Sequence, residues 1–276
     1  MRKNLGIRRD HHGEAGFTLI EMLVTLAVLV LVLGSVFSYI GRLQKAYKAE
    51  ETKIDATQEE RTFFDSIERE LHQAGFPSRN MYAPGVLTSP AANDWRNAVG
   101  LVRVSSSDLW FEGDIDNDGN VESVRYTLMD NSGNPATSAS SCPCTLQRSQ
   151  VQKANNTAPM SQATSYAVAV NNVINSGGVG AGGGALQLTG STGFVGGHTI
   201  SNDTLYTAYK ASPIFNAFDQ NGNPVTLPVD LNSNPTGVAR IRAIAVTVNL
   251  LTTYIDTQTG MAPAMTMRTT VKLNNF

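Results

Sequence analysis

The chain has 276 residues, of which 41% are hydrophobic and only 16% charged, with a formal net charge of −2. Charged residues average about 25% in soluble domains, and here Gly, Ser, Thr and Asn take their place, a composition suited to β-structure with many turns. The charge leaves no electrostatic footprint for nucleic acid, and two cysteines exclude a disulfide framework or an all-cysteine zinc site.

Residues 1–16 form a basic head, with Arg2, Lys3, Arg8 and Arg9 against Asp10 and Glu14. An apolar run follows from Phe17 to Ile40, and its interior, Leu26 to Leu33, carries no polar side chain. As a helix these positions rise about 1.5 Å each, roughly 36 Å in all, enough to cross a bilayer. The run is too long for a secretory signal, and no small-x-small cleavage site follows it. The reading is a single membrane span, with the basic head tilting the N-terminus toward the cytoplasm.

Residues 41–75 continue the same helix. The stretch lacks Pro, is strongly polar at first, and then places Phe64, Ile67 and Leu71 on one apolar face. Gly75 followed by Phe76 and Pro77 stops it. From residue 76 the pattern turns to strands, expected at Leu101–Val104, Asp108–Phe111, Val121–Leu128, Thr204–Tyr209, Ile241–Leu250 and Met267–Leu273. Residues 131–200, with the Gly-rich tract 176–184, read as a long mobile surface insertion. The expected fold class is α+β, a long helix whose second half packs on an antiparallel sheet with long loop insertions.

The residues that open the apolar run are Gly16, Phe17, Thr18, Leu19, Ile20 and Glu21. A carboxylate at this depth costs about 2.5–3.5 kcal/mol on insertion scales. Either Glu21 snorkels to the interface, or it meets a positive partner when subunits pack. The hexapeptide, its basic leader and its apolar sequel resemble the class III signal of type IV prepilins and of type II secretion pseudopilins. That resemblance implies cleavage by a prepilin peptidase after Gly16 and N-methylation of Phe17. It also implies pairing of Glu21 with the N-terminal amine of a neighbouring subunit. The partners it implies are that peptidase, other pilins through the N-terminal helix, and the inner-membrane assembly platform. The chain would sit in the inner membrane with its C-terminal domain in the periplasm, and reach a fibre or the cell surface on assembly.

Three further segments, Arg69–Pro77, Ser107–Tyr126 and Arg268–Asn275, are similar to the minor-pilin family called PilW. A chain of 260 residues after cleavage is longer than major pilins generally are, and the expected role is that of a minor type IV pilin in assembly or initiation. Two other roles stay open: a minor pseudopilin of a type II secretion system, and a binding module that displays residues 131–200 at a fibre tip. No Ser/His/Asp spacing or H-E-x-x-H pattern occurs, so the chain is not read as an enzyme.

Two smaller features stand beside the signal. Asp114, Asp116, Asp118 and Asn120, with Gly119 at the turn and Glu122 beyond, have the alternating oxygen donors of a calcium loop. Arg125 stands where an EF-hand needs its twelfth-position Glu, and the flanks are strands. The alternatives are a Ca²⁺ loop within a β-hairpin or a solvated turn rich in Asp and Asn. Cys142 and Cys144 flank one proline; a small strained disulfide, two thiols, or pairing with another chain all fit. Gly178 to Gly183 match G-x-G-x-x-G, but a strand-like segment follows where a dinucleotide site needs a helix.

Overall fold

The computed structural model describes residues 16–130, 132–136, 141–175, 187–188, 206–210, 212–252 and 262–275. Helix α1 spans Leu19–Gln73, 55 residues without a proline. Its chain divides between two units, Met1–Lys48 and Ala49–Phe276. In the first, the apolar side chains from Leu19 to Ile40 are exposed, covered by none of the described residues of the unit. In the second, Phe63, Phe64, Ile67, Leu71 and Ala74 are buried together, a stripe at helical spacing. The helix ends where Gly75 takes φ +82°, a left-handed conformation that side chains resist. The Phe76 N–H bonds back to Gln73 O at 3.0 Å, while the Gly75 N–H crosses to Glu112 O at 2.8 Å.

The strands are β1 (Leu101–Val104), β2 (Asp108–Gly113), β3 (Glu122–Met129), β4 (Ser141–Cys142), β5 (Cys144–Gln152), β6 (Tyr166–Val173), β7 (Gln187–Leu188), β8 (Phe215–Phe218), β9 (Pro224–Val225), β10 (Val229–Asp230), β11 (Ala243–Leu251) and β12 (Ala264–Lys272). Ten of them form one antiparallel sheet in the order β10-β1-β2-β3-β5-β6-β11-β8-β9, with β12 paired to β11. β4 and β7 form a separate short parallel pair. β2 and β3 make a hairpin running from Asp108↔Thr127 to Gly113↔Glu122. β3 then pairs with β5 from Glu122↔Gln152 to Met129↔Thr145. β11 pairs with β12 along its whole length, with β8 over Ala243 to Val246, and with β6 at Leu250↔Val173.

The core lies where the helical stripe meets this sheet. Phe63 packs edge-on against Tyr126 at 5.8 Å, and Phe111 stacks on Tyr126 at 6.5 Å. Every residue of β2 is buried. At its end, a Cβ on Gly113 would lie 2.7 Å from Gln73 O, so only glycine lets the strand approach the helix terminus this closely. The α+β expectation is therefore met, with a long N-terminal helix and a large antiparallel sheet.

Two local expectations are corrected. The stretch 131–200 is not one surface loop, because its described part supplies β5 and β6 to the middle of the sheet. β5 is rich in Gln, Arg and Ser and buries Ser149, β6 leaves Val168 exposed, and their pairing shifts register, so neither strand shows a clean alternation. Of the strand expected at 204–209, the described part, residues 206–209, is instead Tyr206 followed by a single turn of helix, α2 (Thr207–Lys210). Tyr206 is buried, donates its hydroxyl to Ala262 O at 2.9 Å and accepts from the Ala262 N–H at 3.1 Å; these long-range bonds outweigh the short alternation. The Gly-rich tract 176–184, His198, and the leader residues before Gly16 lie outside the described residues.

Candidate functional site

The first candidate site is the start of α1. Thr18 is its N-cap and Glu21 its third residue. The Thr18 backbone N–H and hydroxyl both donate to Glu21 Oε2 at 2.9 Å, and the Glu21 N–H donates to Thr18 Oγ1 at 3.3 Å. This is the reciprocal capping box that Thr-x-x-Glu encodes. Glu21 thus has an intrachain role that the sequence reading did not anticipate, although the spacing of the two residues advertised it. Among the described residues, nothing bonds Glu21 Oε1. Phe17 is 80% exposed just ahead of the cap. Gly16 is exposed too, and a Cβ there would meet nothing within 4 Å. Among the described residues, neither packing nor a left-handed backbone demands glycine at that position.

The second candidate is the β2–β3 turn, residues 114–121. Asn117 (φ 60°) and Gly119 (φ 89°) curl it tightly. It brings one carboxylate oxygen each from Asp114, Asp116 and Glu122 within 4.8 Å of one another. Asp114 and Glu122 are buried, and Asp116 is exposed. Asp114 Oδ2 accepts from the Gly119 N–H at 3.1 Å, and Glu122 Oε2 from the Ile115 N–H at 2.8 Å. Asp114 Oδ1 is buried with no hydrogen-bond partner. Burial pushes the Glu122 carboxyl up to about 7, and the neighbouring carboxylates of Asp116, Asp118 and Asp114 add to the rise. The two other expected ligands stand apart, because Asp118 accepts from both the backbone and the side-chain amide of Asn120, at 2.7 and 2.8 Å. An open groove of about 470 Å³ reaches the turn, lined by Asp116, Asp118 and Glu122 with Arg148, Gln150 and Ser165.

Cys144 is buried at the start of β5 and disulfide-bonded. The side chain of Cys142 lies outside the described residues. His72 is partly exposed, 3.2 Å from Asn274 Nδ2.

The second unit also holds buried ionic groups that the sequence reading missed. Glu70 of α1 accepts from the Tyr126 hydroxyl at 2.7 Å and pairs with Arg148 at 2.8 Å, tying the helix to β3 and β5. An acid on the apolar stripe was the visible signal for it, and Glu60 is a second one, also buried. Lys153 and Glu112 form an ion pair at 2.6 Å with neither side chain exposed. Asp108 accepts from Arg125 Nε at 2.7 Å and the Thr127 hydroxyl at 2.6 Å.

A long helix with an apolar, lipid-length first segment, Leu19–Lys48, and a large antiparallel sheet packed on its other segment define a pilin-like architecture. Residues 11–37 match the family model of the prokaryotic N-terminal methylation motif. Residues 11–37 thus carry a class III prepilin-type signal, which supports a type IV pilin-like protein, pilin or pseudopilin. That signal implies processing by a prepilin peptidase, membrane anchoring and packing with other pilins, and its family is structural rather than catalytic. No protein of curated function and no solved structure matches the chain.

Proposed function

We propose that this chain is a minor type IV pilin similar to the PilW family, acting in assembly or initiation of a fibre at the inner membrane. The observation that carries the reading is the methylation motif at 11–37 leading into an apolar span that none of the described residues of its own unit covers. In this reading the leader lies in the cytoplasm and the sheet domain in the periplasm. Cleavage after Gly16 frees the amine of Phe17, which is then N-methylated. Glu21 lies four residues on, about 6 Å along the helix. When two such helices pack with an offset of about that length, the amine of one meets the carboxylate of the other. Each charge alone carries a desolvation penalty in an apolar phase, which is offset when they pair in good geometry. The pair therefore fixes register between subunits, and the apolar side chains of Leu19 to Ile40 exchange lipid for one another. A chain of 260 residues after cleavage favours a minor subunit.

The test is the N-terminal mass of the protein recovered from membranes, with and without the peptidase. A chain beginning at methylated Phe17 only when the peptidase is present supports the reading. An intact leader, or a cut beyond residue 33, would mean an ordinary anchored or secreted domain. Deleting the gene in its host separates a pilin from a type II pseudopilin: surface fibres are lost in the first case, secreted exoproteins in the second.

A further inference from the structure

Three of the residues at the β2–β3 turn carry a second function. We propose that Asp114, Asp116 and Glu122 hold one Ca²⁺ ion, which fastens the turn to the end of α1. Ligand oxygens of Ca²⁺ lie about 2.3–2.6 Å from the ion, so two on opposite sides are up to about 5 Å apart. The three carboxylate oxygens, all within 4.8 Å of one another, fit around a single such ion. Proximity of acids alone would not suffice, but Asp114 is only 5% exposed and its buried Oδ1 has no hydrogen-bond partner. A carboxylate oxygen taken out of water with no donor to meet it is the group a cation completes. Asp116, exposed beside the open groove, leaves an entry path and room for water ligands.

The donor set selects the ion. Oxygen ligands alone favour a hard cation over zinc or copper. Two of the three carboxylates are already fixed by backbone N–H groups, Asp114 by Gly119 and Glu122 by Ile115. An irregular set of this kind suits Ca²⁺, which accepts varied geometry. Mg²⁺ demands a near-ideal octahedron and sheds water reluctantly. Arg148 also lines the groove, but its guanidinium is engaged by Glu70 at 2.8 Å and Gln150 at 2.6 Å.

The same ligand is bonded to the chain beyond the helix. The Asp114 N–H donates to Phe76 O at 2.8 Å, and one residue earlier Gly113 packs on the carbonyl of Gln73. Holding the Asp114 side chain therefore holds the backbone junction of helix and sheet. This proposal stands apart from the assembly reading, and its failure would leave the signal and its processing untouched.

The experiment uses the mature chain in detergent micelles, stripped with chelator and titrated with Ca²⁺ alone or Mg²⁺ alone to about 10 mM, the range that extracellular calcium sites require. We expect one Ca²⁺ per chain and a rise in Tm of about 5–10 °C at a hundredfold excess over Kd. The amide hydrogens of Gly75 and Asp114 should exchange more slowly with Ca²⁺ bound. Glu122→Gln and Asp114→Asn each keep an acceptor for their backbone N–H, so the metal-free Tm should hold while the Ca²⁺ response falls at least tenfold. Asp116→Asn, at an exposed position, supplies the same readout should either buried variant fail to fold. Absence of saturable Ca²⁺ binding would overturn the proposal. So would an equal response to Mg²⁺, or a Ca²⁺ response undiminished in the variants.

Discussion

Replacing Lys153 by methionine should strongly destabilise the sheet domain while leaving its shape intact. Lys153 Nζ donates to Ala92 O and Asn97 O at 2.7 Å each and to Glu112 Oε2 at 2.6 Å, with neither charged side chain exposed. Without the ammonium, Glu112 keeps only the Val99 N–H, at 3.2 Å. Breaking a buried pair from one side costs about 3–5 kcal/mol, mostly because the remaining charge has no partner. At about 2–4 °C per kcal/mol for a domain of this size, Tm should fall by about 6–20 °C. Burial holds the Glu112 carboxyl above its ordinary value, and Lys153 pulls it back down. The variant loses that pull, so the folded state keeps its proton to still higher pH than the unfolded state does. A carboxyl raised in this way carries no penalty below its unfolded value, about 4.3, and an increasing one as pH climbs through its folded value. The deficit relative to wild type should therefore be smallest near pH 4.5 and largest at neutral pH. Adding Glu112→Gln to Lys153→Met should restore much of the loss. Urea unfolding of the mature chain in detergent across pH 4.5–8 measures all of this. A deficit under about 1 kcal/mol, or one that does not change with pH, would refute the reasoning.

Two other changes are expected to read out on stability. Asp94 is fully buried, and the Arg96 guanidinium, with the N–H groups of Thr88 and Arg96, holds its carboxyl well below the usual range. Its contribution is complete above about pH 3.9 and is lost as pH falls toward the folded value, so Asp94→Asn should cost about 2–3 kcal/mol at pH 7 and flatten the acid limb of a stability-against-pH curve. Gly113→Ala places a Cβ 2.7 Å from the Gln73 carbonyl, a backbone atom that cannot step aside, and should lower stability by about 1–3 kcal/mol in the same denaturation assay.

The elements that were legible in the sequence are those whose signal is local. The apolar span needs only composition, the stripe Phe64, Ile67 and Leu71 needs only helical spacing, β11 is apolar enough to be buried along nearly its whole length, and β12 alternates. β5 and β6 were hidden because β5 is rich in Gln, Arg and Ser, its buried positions include Ser149, and both strands lie within a stretch of loop-like composition. At the acidic turn, the spacing pointed to Asp114, Asp116, Asp118, Asn120 and Glu122, of which the structure brings together Asp114, Asp116 and Glu122. It could not show that Asn120 would engage Asp118, since both have the side chains a ligand needs and the choice is made by the local turn. The pairs Glu70–Arg148 and Glu112–Lys153 join residues 78 and 41 apart, and no local pattern carries them.

Glu21 carries two roles that a substitution can separate. Its carboxylate closes the capping box with Thr18, and in the assembly reading it also meets a neighbour's amine. Alanine removes both roles at once and cannot tell them apart. Glutamine at the same position still accepts from Thr18, since Gln serves the capping box nearly as well as Glu. Glu21→Gln therefore keeps the helix start and removes only the charge. It exchanges a charge for a neutral amide, which is no costlier to insert, so the variant should be at least as abundant in the membrane as the wild type. The expected result is normal processing and normal membrane level, with incorporation into fibres sharply reduced when sheared fibres are immunoblotted. Incorporation at the wild-type level would mean that the cap is the whole function of Glu21. The charge-pairing account of register would then be wrong for this chain.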